Sequence, residues 1–209
     1  MTTGSWRLRA MRGALRHIMA GRDPQARGLV TMRDLVIDGR LDGRLYTPVS
    51  APPPGPVLLY FHGGGFAFCD IDTHDALCAR LAHAGALRVL SCAYRLAPEH
   101  AFPAALDDAV AAALWLAANT EALGGDPGRL AIGGDSAGGY LAEAALRRLA
   151  PRPRFFAPAL CSMQCCSRRG PRLDRSPGSP SAWPSASFPA AESAFRPCWR
   201  TPHRPTPQP

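Results

Sequence analysis

At 209 residues, with 46% hydrophobic and 19% charged residues, the chain is long and apolar enough to bury one core without disulfide support. Its net charge of +8 is unevenly placed: residues 1–150 hold 15 Arg against 14 acids, whereas residues 151–209 hold 9 Arg against only Asp174 and Glu192. That excess of basic charge lies in a Pro/Ser-rich stretch with no recognisable binding module, so neither nucleic acid nor an anionic membrane is expected as a partner.

Residues 6–20 predict an amphipathic helix, with Trp6, Met11, Leu15, Ile18 and Met19 as its apolar stripe and Arg7, Arg9, Arg12 and Arg16 interleaved. An Arg-rich, acid-free start suits either a packing or cap helix or a mitochondrial transit peptide. The run is too short and too charged for a signal peptide or membrane span, and a cytoplasmic location is the default. Leu29–Ile37 and Leu41–Thr47, separated by Asp38-Gly39, predict a β-hairpin. After a proline-rich linker, Pro56–Phe61 is a short continuous apolar run, as in a strand buried on both faces. The pattern then alternates: helix near His74–Ala86, strand Arg88–Ala93, helix Pro103–Asn119, strand Arg129–Gly133, helix Ala137–Ala150. Strand and helix alternating at this spacing predict an α/β fold, a mostly parallel sheet with helices on both faces.

Beyond Ala150 that grammar stops. Residues 151–209 contain 13 of the 22 prolines and no Val or Ile, which predicts a disordered tail. The domain layout read from the sequence is therefore a cap-like helix in 1–27, an α/β unit in 28–150 and a Pro/Arg/Ser-rich tail in 151–209. Cys69, Cys78 and Cys92 fall in the ordered part and read as small hydrophobes. Cys161, Cys165, Cys166 and Cys198 fall in the tail without the second ligand pair that a zinc site needs, so no metal is expected.

Two motifs carry chemistry. Gly134-Asp135-Ser136-Ala137-Gly138 is a Gly-x-Ser-x-Gly run directly after a predicted buried strand and directly before a helix. In that context the tight turn lifts the serine hydroxyl above the strand end, and the helix N-terminus aims N–H groups and positive dipole at it. Ser136 is the candidate nucleophile, and Asp135 beside it is expected to support the turn. His62-Gly63-Gly64-Gly65-Phe66 follows another strand of the same sheet. Its glycines let backbone N–H groups face a developing oxyanion, so Gly64, Gly65 and Ala137 are the candidate oxyanion-hole donors. His62 and Gly63 are expected to organise that loop rather than act as a base.

These two motifs, with Tyr94-Arg95-Leu96-Ala97-Pro98-Glu99-His100 between them, stand in the order and spacing of the hormone-sensitive-lipase-like family of esterases and lipases. Over about residues 28–148 the chain resembles the first part of that family's α/β-hydrolase domain, with the N-terminal helix similar to part of its cap. The resemblance implies hydrolysis of carboxylic esters of short to medium acyl chains, a small-molecule substrate, and no metal or organic cofactor. It implies that Tyr94–His100 supports the nucleophile loop, with Glu99 fixing it by hydrogen bonds.

The sequence departs from the family after the serine. A serine of ordinary pKa needs a base and an orienting carboxylate, in this fold an Asp or Glu and then a His from later strands. Neither of the family's motifs for these is recognisable. Asp174 and His203 follow in the right order but in Arg/Pro-rich surroundings without a strand to hold them, and His74 and His100 lie on the wrong elements. The chain is therefore expected to be truncated or frameshifted near residues 147–152 and inactive or nearly so. Translation of the other two reading frames tests this, and failure to find later strands with Asp and His motifs would overturn it. Without a neighbour, Leu130–Ile132 would form an exposed apolar edge, and poor solubility would follow. The alternative is a non-catalytic ligand-binding module, since the hydrolase-like gibberellin receptors resemble this family yet lack the histidine. Oligomeric state is not legible.

Overall fold

The computed structural model describes residues 4–19, 28–149 and 156–162. In chain order the elements are α1 (Gly4–Met19), β1 (Val30–Ile37), β2 (Leu41–Pro48), β3 (Gly55–Phe61), α2 (Asp75–Gly85), β4 (Arg88–Cys92), α3 (Ala104–Asn119), β5 (Gly125–Asp135), α4 (Ala137–Leu149) and β6 (Phe156–Ser162). The expected hairpin is present, β1 pairing antiparallel with β2 around Asp38 and Gly39, both at positive φ. The sheet runs β1-β2-β4-β3-β5-β6; β2 meets β4 antiparallel, and β4, β3, β5 and β6 are mutually parallel.

The strands alternate as a two-sided sheet requires. From β3, Val57, Leu59 and Phe61 enter one apolar cluster with Leu90, Ile132 and the inner faces of α3 and α4. Leu58 and Tyr60 enter a second on the opposite face, with Val89, Tyr46 and Cys78, Ala79 and Ala82 of α2. The alanines of α3 (Ala109, Ala112, Ala113) are fully buried and let that helix lie close to the sheet. Burial of this kind contributes roughly 25 cal/mol per Å² of apolar surface, so the strand-centred clusters dominate stability.

Two differences from the sequence reading concern the nucleophile strand. β5 begins at Gly125, earlier than the apolar run at 129 suggests, because Gly125 already pairs with Gly55 of β3. More consequentially, Leu130–Ile132 is not an open edge: β6 pairs parallel beside it, Leu130 opposite Phe156 and Ile132 opposite Pro158. The expectation of an exposed edge there is corrected. Pro158 disguises this strand in the sequence, but a proline lacking a ladder N–H is tolerated in an outer strand, and the register shifts directly after it. The remainder of the tail, with Asp174, His203 and the cysteines from Cys165 onward, lies outside the described residues. Among the described residues no helix is long and apolar enough to cross a membrane.

Candidate active site

The parallel register of β3 and β5 sets Phe61 opposite Gly134, so the loops that follow both strands emerge at the same end of the sheet. Ser136 follows β5 at φ 47°, a left-handed conformation that L-residues with a side chain rarely adopt. α4 starts at the next residue, so the Ala137 N–H is one of the four that the helix leaves without an internal acceptor. Close approach makes the turn possible: a Cβ on Gly138 would overlap the Phe61 and His62 carbonyls, and one on Gly134 the Phe61 carbonyl and Gly138 itself.

The glycine loop after β3 is bonded to this turn. The Gly63 N–H donates to Asp135 Oδ1 at 2.8 Å, and the Tyr60 hydroxyl donates to the same oxygen at 2.6 Å. His74 Nε2, at the start of α2, stands 3.4 Å from it, and its Nδ1 meets Thr73 Oγ1 at 3.0 Å. Burial pushes the Asp135 carboxyl up, but the His74 and Tyr60 bonds outweigh it and bring it down to about 2. Asp135 is thus an anion that ties β3, β5 and α2 together beneath Ser136. Gly64, at φ 113°, accepts from the N–H groups of Ala67 and Phe68 and closes the loop as a tight turn. A Cβ at Gly64 would overlap the Phe68 carbonyl, so only glycine fits there.

His62 is buried and stacks on Tyr94, ring centroids 4.4 Å apart and planes 18° from parallel. Tyr94 donates its hydroxyl to the His62 carbonyl at 2.7 Å, and His62 Nδ1 lies 2.7 Å from the Gly63 carbonyl. Burial lowers the His62 pKa to about 4, so the ring is neutral near pH 7 and its bonds hold the loop. Among the described residues the side chain of Glu99, expected to fix the nucleophile loop, is hydrogen-bonded to Arg12 of α1 rather than to the Ser136 turn. It is the Ala97 N–H that donates to the Phe66 carbonyl, at 2.8 Å. Arg12 itself donates to Ala67 O, a contact the sequence did not disclose because an arginine on an amphipathic helix reads as part of a solvated face.

Among the described residues no side chain is hydrogen-bonded to the Ser136 hydroxyl, and no group of His, Cys, Asp and Glu is placed to hold a metal. A cleft of about 460 Å³ between Arg16, Asp34, Asp42, Arg44, Asp70 and Asp72 includes neither Ser136 nor the glycine turn in its lining.

A mostly parallel sheet with helices on both faces, a serine at positive φ on a strand–turn–helix, and a glycine turn bonded to it from the neighbouring strand define an α/β-hydrolase scaffold. A family model described as alpha/beta hydrolase fold matches residues 58–181, and the chain belongs to that family, in its hormone-sensitive-lipase-like esterase branch. Among its relatives, Esterase LipI of Mycobacterium tuberculosis is 48% identical over 120 residues, 55% of this chain and 38% of the relative. Ethyl acetate hydrolase of Pseudomonas putida is 46% identical over 119 residues, 56% of this chain and 37% of the relative. A solved hyperthermophilic esterase from the archaeon Pyrobaculum calidifontis superposes with a TM-score of 0.65 at 38% identity, over 71% of this chain and 50% of that one. The chain thus spans well under half the length of these two curated relatives.

Proposed function

We propose that the chain carries the nucleophile half of a carboxylic-ester hydrolase site. Ser136 Oγ attacks the carbonyl of a small ester while its proton passes to solvent water, and the Gly64, Gly65 and Ala137 amides hold the tetrahedral oxyanion. The alcohol leaves protonated by water, and a second water cleaves the acyl-serine to the free acid. The observation that carries this reading is the Gly63–Asp135 hydrogen bond, which fixes the glycine turn one residue from a half-buried serine already held at positive φ. Asp135, His62 and Gly63 hold the two loops directly, Glu99 acts only through its ion pair with Arg12, and none of the four takes a proton from substrate. Because no Asp or His motif is recognisable in the sequence after Ser136, turnover by this chain is expected to be slow, of the size that an oxyanion hole and binding supply without a bonded base, about 10³–10⁴-fold over water.

Hydrolysis of p-nitrophenyl butyrate, together with mass mapping after a serine-reactive phosphonate, tests both halves of the proposal. The expected result is slow hydrolysis that falls to background in Ser136→Ala, with a slowly formed adduct on Ser136. An adduct mapping elsewhere overturns the nucleophile assignment. Turnover at ordinary enzyme rates, on the order of 1–10³ s⁻¹, overturns the limit on activity. Stable ligand binding with hydrolysis unchanged by Ser136→Ala turns the assignment to a binding module.

A further inference from the structure

The N-terminal helix reaches the glycine turn through one side chain. The Arg12 guanidinium donates Nε to the Ala67 carbonyl at 2.7 Å and a terminal nitrogen to the Ala97 carbonyl at 2.7 Å, and both terminal nitrogens reach the Glu99 carboxylate at 2.9 Å. Its partners lie 55 to 87 residues away in sequence, and its side chain is only 21% exposed. Both gripped residues are tied to the turn at their other end: Ala67 donates its N–H to Gly64 O and Ala97 its N–H to Phe66 O. The turn that presents Gly64 and Gly65 is therefore held on one side by Asp135, through Gly63, and on the other by Arg12. A planar guanidinium suits the second task, because its fork serves two carbonyls and a carboxylate in one rigid geometry. An oxyanion donor must sit within about half an ångström of its working position, so a loop tethered only from the Asp135 side would lose alignment before it lost its fold.

We infer that Arg12 is a positioning residue for the oxyanion turn, making α1 part of the machinery that sets the Gly64 and Gly65 amides, an assignment that rests on the ester-hydrolase reading above. A helix anchor and nothing more would free α1 on loss of Arg12 and leave the turn as it is. The full chain is compared with Arg12→Ala, Arg12→Lys and, as a control, Arg7→Ala, whose guanidinium lies 5.5 Å over the Trp6 ring on an exposed part of the same helix. Hydrogen-exchange mass spectrometry follows residues 63–68 against the reference strand 57–61, and p-nitrophenyl butyrate gives kcat and KM. In Arg12→Ala, exchange in 63–68 rises about tenfold with 57–61 unchanged; kcat falls about tenfold, as for a misaligned oxyanion donor, while KM moves less than about threefold. Added methylguanidinium restores part of both, Arg12→Lys recovers less than half of the loss, and Arg7→Ala matches the parent. Unchanged exchange in 63–68 overturns the assignment, as does a change confined to KM. Should Arg12→Ala fail to fold, Arg12→Lys is read by the same criteria. If parental hydrolysis does not depend on Ser136, the hydrolase reading fails, and exchange with its guanidinium rescue decides the role of Arg12 alone.

Discussion

His62 and Asp135 stand at opposite corners of the same loop junction and respond to acid in different windows. A neutral, buried His62 with its pKa lowered to about 4 binds fewer protons folded than unfolded. Its contribution is therefore complete above about pH 6.5 and is lost as the pH falls toward 4. Asp135, lowered to about 2, contributes fully above its ordinary value near 4 and loses that contribution as the pH falls to about 2. The size is on the order of 3–4 kcal/mol for His62 and 2–3 kcal/mol for Asp135. Urea midpoints measured from pH 7 to pH 3 are expected to fall in the parent already between 6.5 and 4. In His62→Gln that upper limb flattens, while the limb below pH 4 persists. An unchanged upper limb in His62→Gln would place the acid lability elsewhere.

At the scale of elements, the loop before α3 is locked by a carboxylate rather than by packing alone. Asp108, fully buried on α3, accepts from the Arg95 backbone N–H and guanidinium at 2.8–2.9 Å and from Arg40 of the hairpin turn at 2.9 Å. Burial raises its carboxyl, but the Arg95 bonds prevail and lower it. Asp108→Ala leaves two arginines that can turn to water, and the expected cost is about 1–3 kcal/mol, read as a lower urea midpoint with an unchanged slope. The hairpin and the βαβ alternation through α4 were legible because apolar period and turn residues signal them directly. The serine turn was legible because its glycines are a steric requirement of the fold. β6 was not, since Pro158 cancels the signal that the neighbouring apolar residues give. Arg12 was not, because nothing in a helix sequence distinguishes an arginine in water from one gripping carbonyls more than 50 residues away.

For the whole molecule, the sheet divides stability unevenly between centre and rim. Leu59, fully buried at the middle of β3, faces the α3–α4 cluster, whereas Val36 of β1 is 54% exposed. Leu59→Ala is expected to cost about 2–5 kcal/mol, and Val36→Ala about 0.5 kcal/mol or less, a contrast that thermal unfolding followed by circular dichroism checks. Equal losses would mean that the hairpin and the central strands share one rim-to-centre packing unit.

The Tyr60–Asp135 hydrogen bond joins residues 75 apart in the chain. Long-range pairings of this kind form late, after loop closure has been accomplished. The Ser136 turn is framed by contacts between β5 and β3, the Phe61 carbonyl lying against both Gly134 and Gly138, so its geometry depends on the docking of those two strands. The two halves of the turn therefore report one event: pulsed hydrogen exchange during refolding is expected to protect the Gly63 amide and the amides of β5 in the same phase, the closure of the sheet's centre.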